Sequence, residues 1–283
     1  MGKFNTLAAK YSSSILRAAD ELSNRRWHKN PLIRTPKGDT QIYLRLANKV
    51  RTETYQEIDE FEAACDASID REWLDDLALH TQIVVKKSPL CYAHGRVLYS
   101  ALSAWLRSHP QNSPMERVTI METGTARGFS ALCMAKALTD QQRCGTILTF
   151  DVLPHTTPMY WNCIDDNEGE KTRSELLKPW RDLVNNHIVF YQGDTRISLP
   201  KARSDRVHFA FLDGAHTYDD VMFEFSQIAP YQQMGDVIVY DDYNLAQFPG
   251  LVRAVDEICE LYRYNRTDLH AHSDRGYVVA TKR

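Results

Sequence analysis

A doubly wound α/β sheet carrying a helical N-terminal addition is the fold class the sequence predicts, and three observations predict it. Val118 to Met121 is a short apolar, β-branched run that passes through Gly124 and Gly128 into the helix-forming Ala131–Leu138. Ile147–Phe150 is a second apolar strand, ending in Asp151. Val207–Leu212 and Val237–Tyr240 are two more apolar runs, ending in Asp213 and in the pair Asp241-Asp242. Near-continuous apolar strands alternating with helical segments belong to parallel sheets covered on both faces.

The bulk properties set the bounds. The chain has 283 residues, 43% hydrophobic and 25% charged, enough for one large α/β domain with an appendage. No apolar run approaches a membrane span and no secretory core is present near Met1, so a cytoplasmic location is expected. The six cysteines include no C-x-x-C pair, which points to reduced thiols rather than to a zinc site or a disulfide framework. A net charge of −3 argues against a globally basic nucleic-acid binder, and no N/D-P-P-Y/F motif for methylating base amines occurs.

Charge is uneven along the first third. Residues 1–52 hold eleven Lys or Arg against Asp20, Glu21 and Asp39, and residues 53–80 hold ten acids against Arg71. Such a basic arm suits nucleic acid, acidic lipid or a phosphorylated substrate; equally, the two blocks are solvated faces that neutralise each other within a chain or across a dimer. Asn5–Leu22 has helical character, and Pro31, Pro36 and Gly38 break the chain. Ile58, Phe61, Ala64, Cys65, Ile69, Trp73 and Leu77 follow helical spacing and predict a helix over Tyr55–Leu79. A further helix is expected from Pro89 to His109, ended by Pro110–Pro114. These segments divide the chain into a helical cap, 1–87, and a second domain, 88–283, with an insertion at 153–181. The insertion opens with Pro154, His155, Tyr160 and Trp161, which suit either a lid or a surface loop.

The glycine turn points unpaired N–H groups and a helix N-terminus at one spot, which suits an anion. A dinucleotide pyrophosphate needs G-x-G-x-x-G, whereas the pattern here is Glu122-x-Gly124-x-x-x-Gly128, so a single carboxylate fits better and a nicotinamide dehydrogenase is disfavoured. Asp151 stands 27 residues after Gly124, where a strand-end acid of a doubly wound fold bonds ribose hydroxyls or is simply solvated.

Glu122-Thr-Gly124-Thr-Ala-Arg-Gly128-Phe-Ser130 resembles the first motif of the class I S-adenosylmethionine-dependent methyltransferases. Within them the chain is similar, over residues 90–283, to metal-dependent O-methyltransferases of the catechol and sugar or macrolide type. The resemblance implies a Rossmann-like, mostly parallel seven-stranded sheet with an antiparallel last strand, met here by Gly276–Thr281 after a helix over Leu251–Tyr264. It implies that Glu122, Gly124, Thr125 and Gly128 line the methionine end of S-adenosylmethionine and that Ser130 helps hold its carboxylate. Asp151 would take the ribose. A helix over Thr172–Asn185 leads to the strand His187–Tyr191, after which Gly193, Asp194 and Thr195 would edge the adenine. In relatives the cap covers the substrate and forms a dimer contact, so a homodimer or higher homo-oligomer is expected.

The chemistry is expected at the next two strand ends. Asp213, Asp241 and Asp242 converge on the crevice where open α/β sheets bind ligands, and three unpaired acids would repel. Mg²⁺ or another divalent cation resolves that, and these are the metal positions of the resembling family. Asp213 would then border both metal and cofactor; the bland alternative is that it caps the helix beginning near Thr217. His216 stands where catechol-type relatives carry a basic lysine, and an imidazole suits a general base near neutrality, or else a packing role. The expected activity is methylation of a hydroxyl on a small molecule or sugar with a vicinal diol-like arrangement. The alternatives are a metal-dependent hydroxylase of the cephalosporin hydroxylase type, in which His216 and two acids bind iron, and a non-catalytic cofactor-binding partner.

Overall fold

Val118–Thr123 (β1), Gly145–Asp151 (β2), Ile188–Gln192 (β3), Phe209–Leu212 (β4) and Val237–Tyr240 (β5) run parallel. Arg275–Lys282 (β7) lies antiparallel to β5, and Tyr264–His272 (β6) closes the edge antiparallel to β7. The resulting seven-stranded order is β3-β2-β1-β4-β5-β7-β6. The computed structural model describes residues 32–109, 117–202, 204–272 and 275–283. The helix expected over Asn5–Leu22, most of the basic arm and the Pro110–Pro114 break lie outside the described residues.

Alternation along each strand sorts side chains onto two apolar layers. Ile120, Phe209, Phe211 and Val239 face the layer built by His94–Ser108 (α4) and Phe129–Asp140 (α5). Met121, Ala210, Leu212 and Ile238 face the layer built by Tyr218–Ile228 (α9) and Pro249–Leu261 (α10). Both β4 and β5 are buried throughout, and each fully buried Phe or Leu contributes about 2 kcal/mol, so their carboxyl ends are firmly held. Those ends carry the acids.

The cap is three helices, Thr40–Arg51 (α1), Gln56–Ala64 (α2) and Arg71–Thr81 (α3). The single helix expected over Tyr55–Leu79 is two. Asp66 adopts φ +47°, and the Asp70 carboxylate accepts from the Trp73 N–H at 2.7 Å to cap a fresh helix. Tyr43, Ile58 and Leu74 join the apolar layer of α4 and α5, so the cap shares that core.

Three further boundaries differ from the pattern. The helix expected over Thr172–Asn185 is interrupted at Pro179, giving Arg173–Leu176 (α6), a 3₁₀ turn at Lys178–Trp180 and Arg181–His187 (α7). The helix expected from Pro89 begins at His94. The helix over α10 ends at Leu261, and Tyr264 already belongs to β6, a polar edge strand without apolar alternation.

The insertion is docked onto the cap. Asn162 bonds Val85 in both directions at 3.1 Å, and His80 Nδ1 of α3 stands 2.6 Å from Asp165 Oδ2. The bond to Asp165 raises the His80 pKa against its burial; Asp76 raises it further and Lys171, 2.9 Å from Asp165, lowers it, while the Trp180 ring packs edge-on. A histidine whose folded pKa is raised contributes stability that is complete below its unfolded value of about 6.5 and fades as pH rises through the folded value. His80→Gln is therefore expected to be about 1 kcal/mol less stable than the native protein near pH 6, with the gap closing in alkali. Denaturant melts across that range check it; a gap that widens with pH overturns it.

Candidate active site

The turn after β1 is built around Gly124. Its φ is +86°, and a Cβ there would fall far inside contact distance of the Asp213 carbonyl oxygen. The glycine thus lets β1 and β4 bring the turn against the backbone of an acid that the sequence places on the other side of the site. Gly128, at φ +89°, begins α5 with its space bounded by Leu177.

Beneath the turn lies a buried polar knot. Glu122 accepts hydrogen bonds from the hydroxyls of Ser130 and Thr149, and Thr125 pairs with Thr149. Burial pushes the Glu122 carboxyl up to about 7, against the opposing hydroxyl bonds. The hydroxyls of Ser130 and Thr125 therefore face the protein interior, holding the strand end to the helix.

Asp151 at the end of β2 holds the turn from the side. Its carboxylate accepts the Ala126 N–H and, at 2.8 Å, the Leu153 N–H. Burial raises its pKa, opposed by Arg173 and these backbone bonds. Arg173 Nη2 is 3.8 Å from Asp151, and its Nε donates to the Ala126 carbonyl at 3.0 Å. Arg127 donates to the Trp161 carbonyl at 2.6 Å. The insertion is thus a strap clamping the glycine turn between Asp151 and the cap.

A cleft of about 260 Å³ opens between these elements, lined by Gly124, Asp151, Asp194, Thr195, Gly214 and Asp220 among others. Asp194 caps the short helix Thr195–Ser198 (α8), and Gly193 donates to the Asp151 carbonyl at 2.8 Å. An ion pair between Arg196 and Asp220 forms one wall. A larger apolar hollow of about 430 Å³ near Phe225, Tyr264 and Lys282 lies toward the opposite ends of the strands and holds none of the predicted groups.

Asp213, His216 and Asp242 converge, with ligand atoms within 4.8 Å of one another. His216 Nε2 is 3.0 Å from Asp242 and 3.9 Å from Asp213, and its ring stacks on Phe248 at 4.4 Å. Flanked by both carboxylates, the imidazole is held up to about 10, so in this arrangement it carries a proton at neutrality. Thr217, not Asp213, caps α9, and the Asp213 carboxylate faces His216 instead.

Asp241 is set apart from that trio. It is buried, one oxygen accepts the Asp242 N–H at 2.7 Å, and Oδ2 has no hydrogen-bond partner. Burial, reinforced by Asp213, pushes it up to about 8. Asp242, at φ +54°, turns its carboxylate toward His216 instead. Its pKa falls below the ordinary value because His216 and Arg275 outweigh its burial.

Arg275 is the residue sequence reasoning missed. Its guanidinium pairs with Asp242 Oδ1 and stands 3.8 Å from Asp241 Oδ2. No spacing in the sequence signals it, because only the antiparallel pairing of β7 with β5 brings it to the acids.

Residues 121–243 match a family model described as a methyltransferase domain. Over those residues the chain is similar to that domain. Within it fall the glycine turn, Asp151, the cleft and all three acids. Among solved structures, cofactor-bound Rv0187 from MTB is 16% identical, covering 76% of this chain and 91% of that one with a TM-score of 0.53, which shows a shared fold. The O-methyltransferase TomG from Streptomyces achromogenes, solved with SAM, is 18% identical over 76% of this chain and 91% of its own, TM-score 0.49. The O-methyltransferase NovP is 20% identical over 66% and 78%, TM-score 0.48. No curated protein sequence matches the chain. Among the described residues, no helix is long and apolar enough to cross a membrane.

Proposed function

We propose that this methyltransferase domain transfers the methyl group of S-adenosylmethionine to a hydroxyl of a small molecule or sugar, assisted by a divalent cation. The observation that carries the reading is the contact of Gly124 with the Asp213 backbone, which puts the cofactor-type turn directly against the acid cluster. Methyl donor and oxygen acceptor would meet there, and in-line positioning supplies much of the acceleration of such a displacement. Bound S-adenosylmethionine supplies an electrophilic methyl carbon on a sulfonium.

The residues fit a cation. Asp241 Oδ2 is a buried carboxylate oxygen without a hydrogen-bond partner, beside a trio of two carboxylates and an imidazole. Asp213 and Asp242 would hold it, with Asp241 adding charge and His216 left beside it as the base, and oxygen-rich donors suit Mg²⁺ or Mn²⁺. Such an ion lowers the pKa of a coordinated hydroxyl. His216 would take the proton that the acceptor hydroxyl gives up on methylation. That histidine acts as a base only after losing its own proton, at a pH set by how much of the charge on Asp213 and Asp242 is compensated. An iron-dependent hydroxylase is less well supported, because its usual facial triad has two imidazoles and the trio holds His216 alone.

Calorimetric titration with S-adenosylmethionine and S-adenosylhomocysteine tests the reading. Micromolar binding is expected, and Asp151→Asn, which keeps the shape but removes the charge, should weaken it about tenfold or more. Folded native protein that binds neither compound would sink the proposal.

A further inference from the structure

Both oxygens of Asp242 are already engaged: Oδ1 faces the Arg275 guanidinium, and Oδ2 lies 3.0 Å from His216 Nε2. A guanidinium keeps its charge and has no lone pair to offer a metal. A divalent ion entering through Asp242 must therefore contend with Arg275. Arg275 also stands 3.8 Å from Asp241 Oδ2, which has no hydrogen-bond partner, so one side chain supplies positive charge to both members of the acid pair. Its side chain is 24% exposed, leaving it a way out toward solvent.

We propose that Arg275 is an internal counter-ion that a divalent cation displaces from Asp242, so that metal entry and release of the Arg275 guanidinium are one event. This rests on the metal-assisted reading above. The protein then folds without exposing bare acids to one another, and its affinity for the free ion is held down by the arginine. Like charges a few ångströms apart in a partly buried site repel strongly, so removing one changes metal affinity more than any surface charge would.

The test is Mn²⁺ binding followed by electron paramagnetic resonance of the free ion, without substrate or turnover. Native protein, Arg275→Met, Arg275→Lys and Asp242→Asn are titrated, with thermal melts as folding controls. Arg275→Met should bind Mn²⁺ at least tenfold more tightly than native protein and show a larger rise in melting temperature with the ion. Arg275→Lys, which keeps the charge, should bind like the native protein, and Asp242→Asn should bind poorly. If native protein binds Mn²⁺ and folded Arg275→Met binds no tighter, the counter-ion role is overturned while the metal reading stands. Should native protein and both arginine variants all fail to bind at millimolar Mn²⁺, the metal reading falls and this inference with it. If Arg275→Met does not fold, Arg275→Gln replaces it under the same criteria.

Discussion

Gly124→Ala is expected to cost about 3 kcal/mol or more of stability and to abolish S-adenosylmethionine binding. Two penalties act together. The backbone is at φ +86°, which costs an alanine of order 1–3 kcal/mol, and the new methyl would collide with the Asp213 carbonyl, a backbone atom that cannot rotate away. Relief requires β1 and β4 to part at their carboxyl ends, where the cleft and the acids sit. Gly128→Ala is the informative control. It shares the positive φ, but its methyl would meet Leu177 Cδ1 at 2.8 Å, the far end of a side chain that can change rotamer. Urea melts and calorimetry on the two variants should rank them clearly, with Gly124→Ala the worse in both. A Gly124→Ala protein with native stability and cofactor affinity would remove the turn from the centre of the site.

The elements legible in the sequence are those whose signal is local. Each parallel strand is a continuous apolar run, and an acid directly after a strand buried on both faces has nowhere to go but the crevice at its end. That argument places Asp151, Asp213 and the Asp241-Asp242 pair correctly at strand ends. It does not say which member of the pair turns toward His216. Neighbouring residues at a strand end point apart, and the choice falls to Asp242 because it adopts φ +54° while Asp241 stays in the core. Ser130 and Thr125 lie within the expected motif, yet only the packed structure shows their hydroxyls bound to Glu122 and Thr149. Arg275 and β6 were illegible for another reason. A long side chain delivers its charge wherever the tertiary fold carries it, and an edge strand exposed to water needs no apolar alternation.

Arg173→Met is expected to destabilise the protein by about 3 kcal/mol and to loosen the cofactor turn. Arg173 is 1% exposed, lies against the rings of Trp161 and Phe190, and is the buried cation facing Asp151. Methionine replaces most of the packing, so the cost is electrostatic: Asp151 keeps its two backbone N–H donors but loses its counter-charge in a buried setting, and breaking such a pair from one side costs about 3–5 kcal/mol. The Ala126 carbonyl also loses its donor, which frees the residue between the two glycines of the turn. If the charge pair is the cause, Arg173→Met combined with Asp151→Asn should recover about half of the lost stability, because the second change removes the stranded charge. Equilibrium denaturation of the two single variants and the double variant decides this. A double variant whose losses simply add would show instead that Arg173 acts through packing and the Ala126 bond, with Asp151 a bystander to stability and free for the ribose.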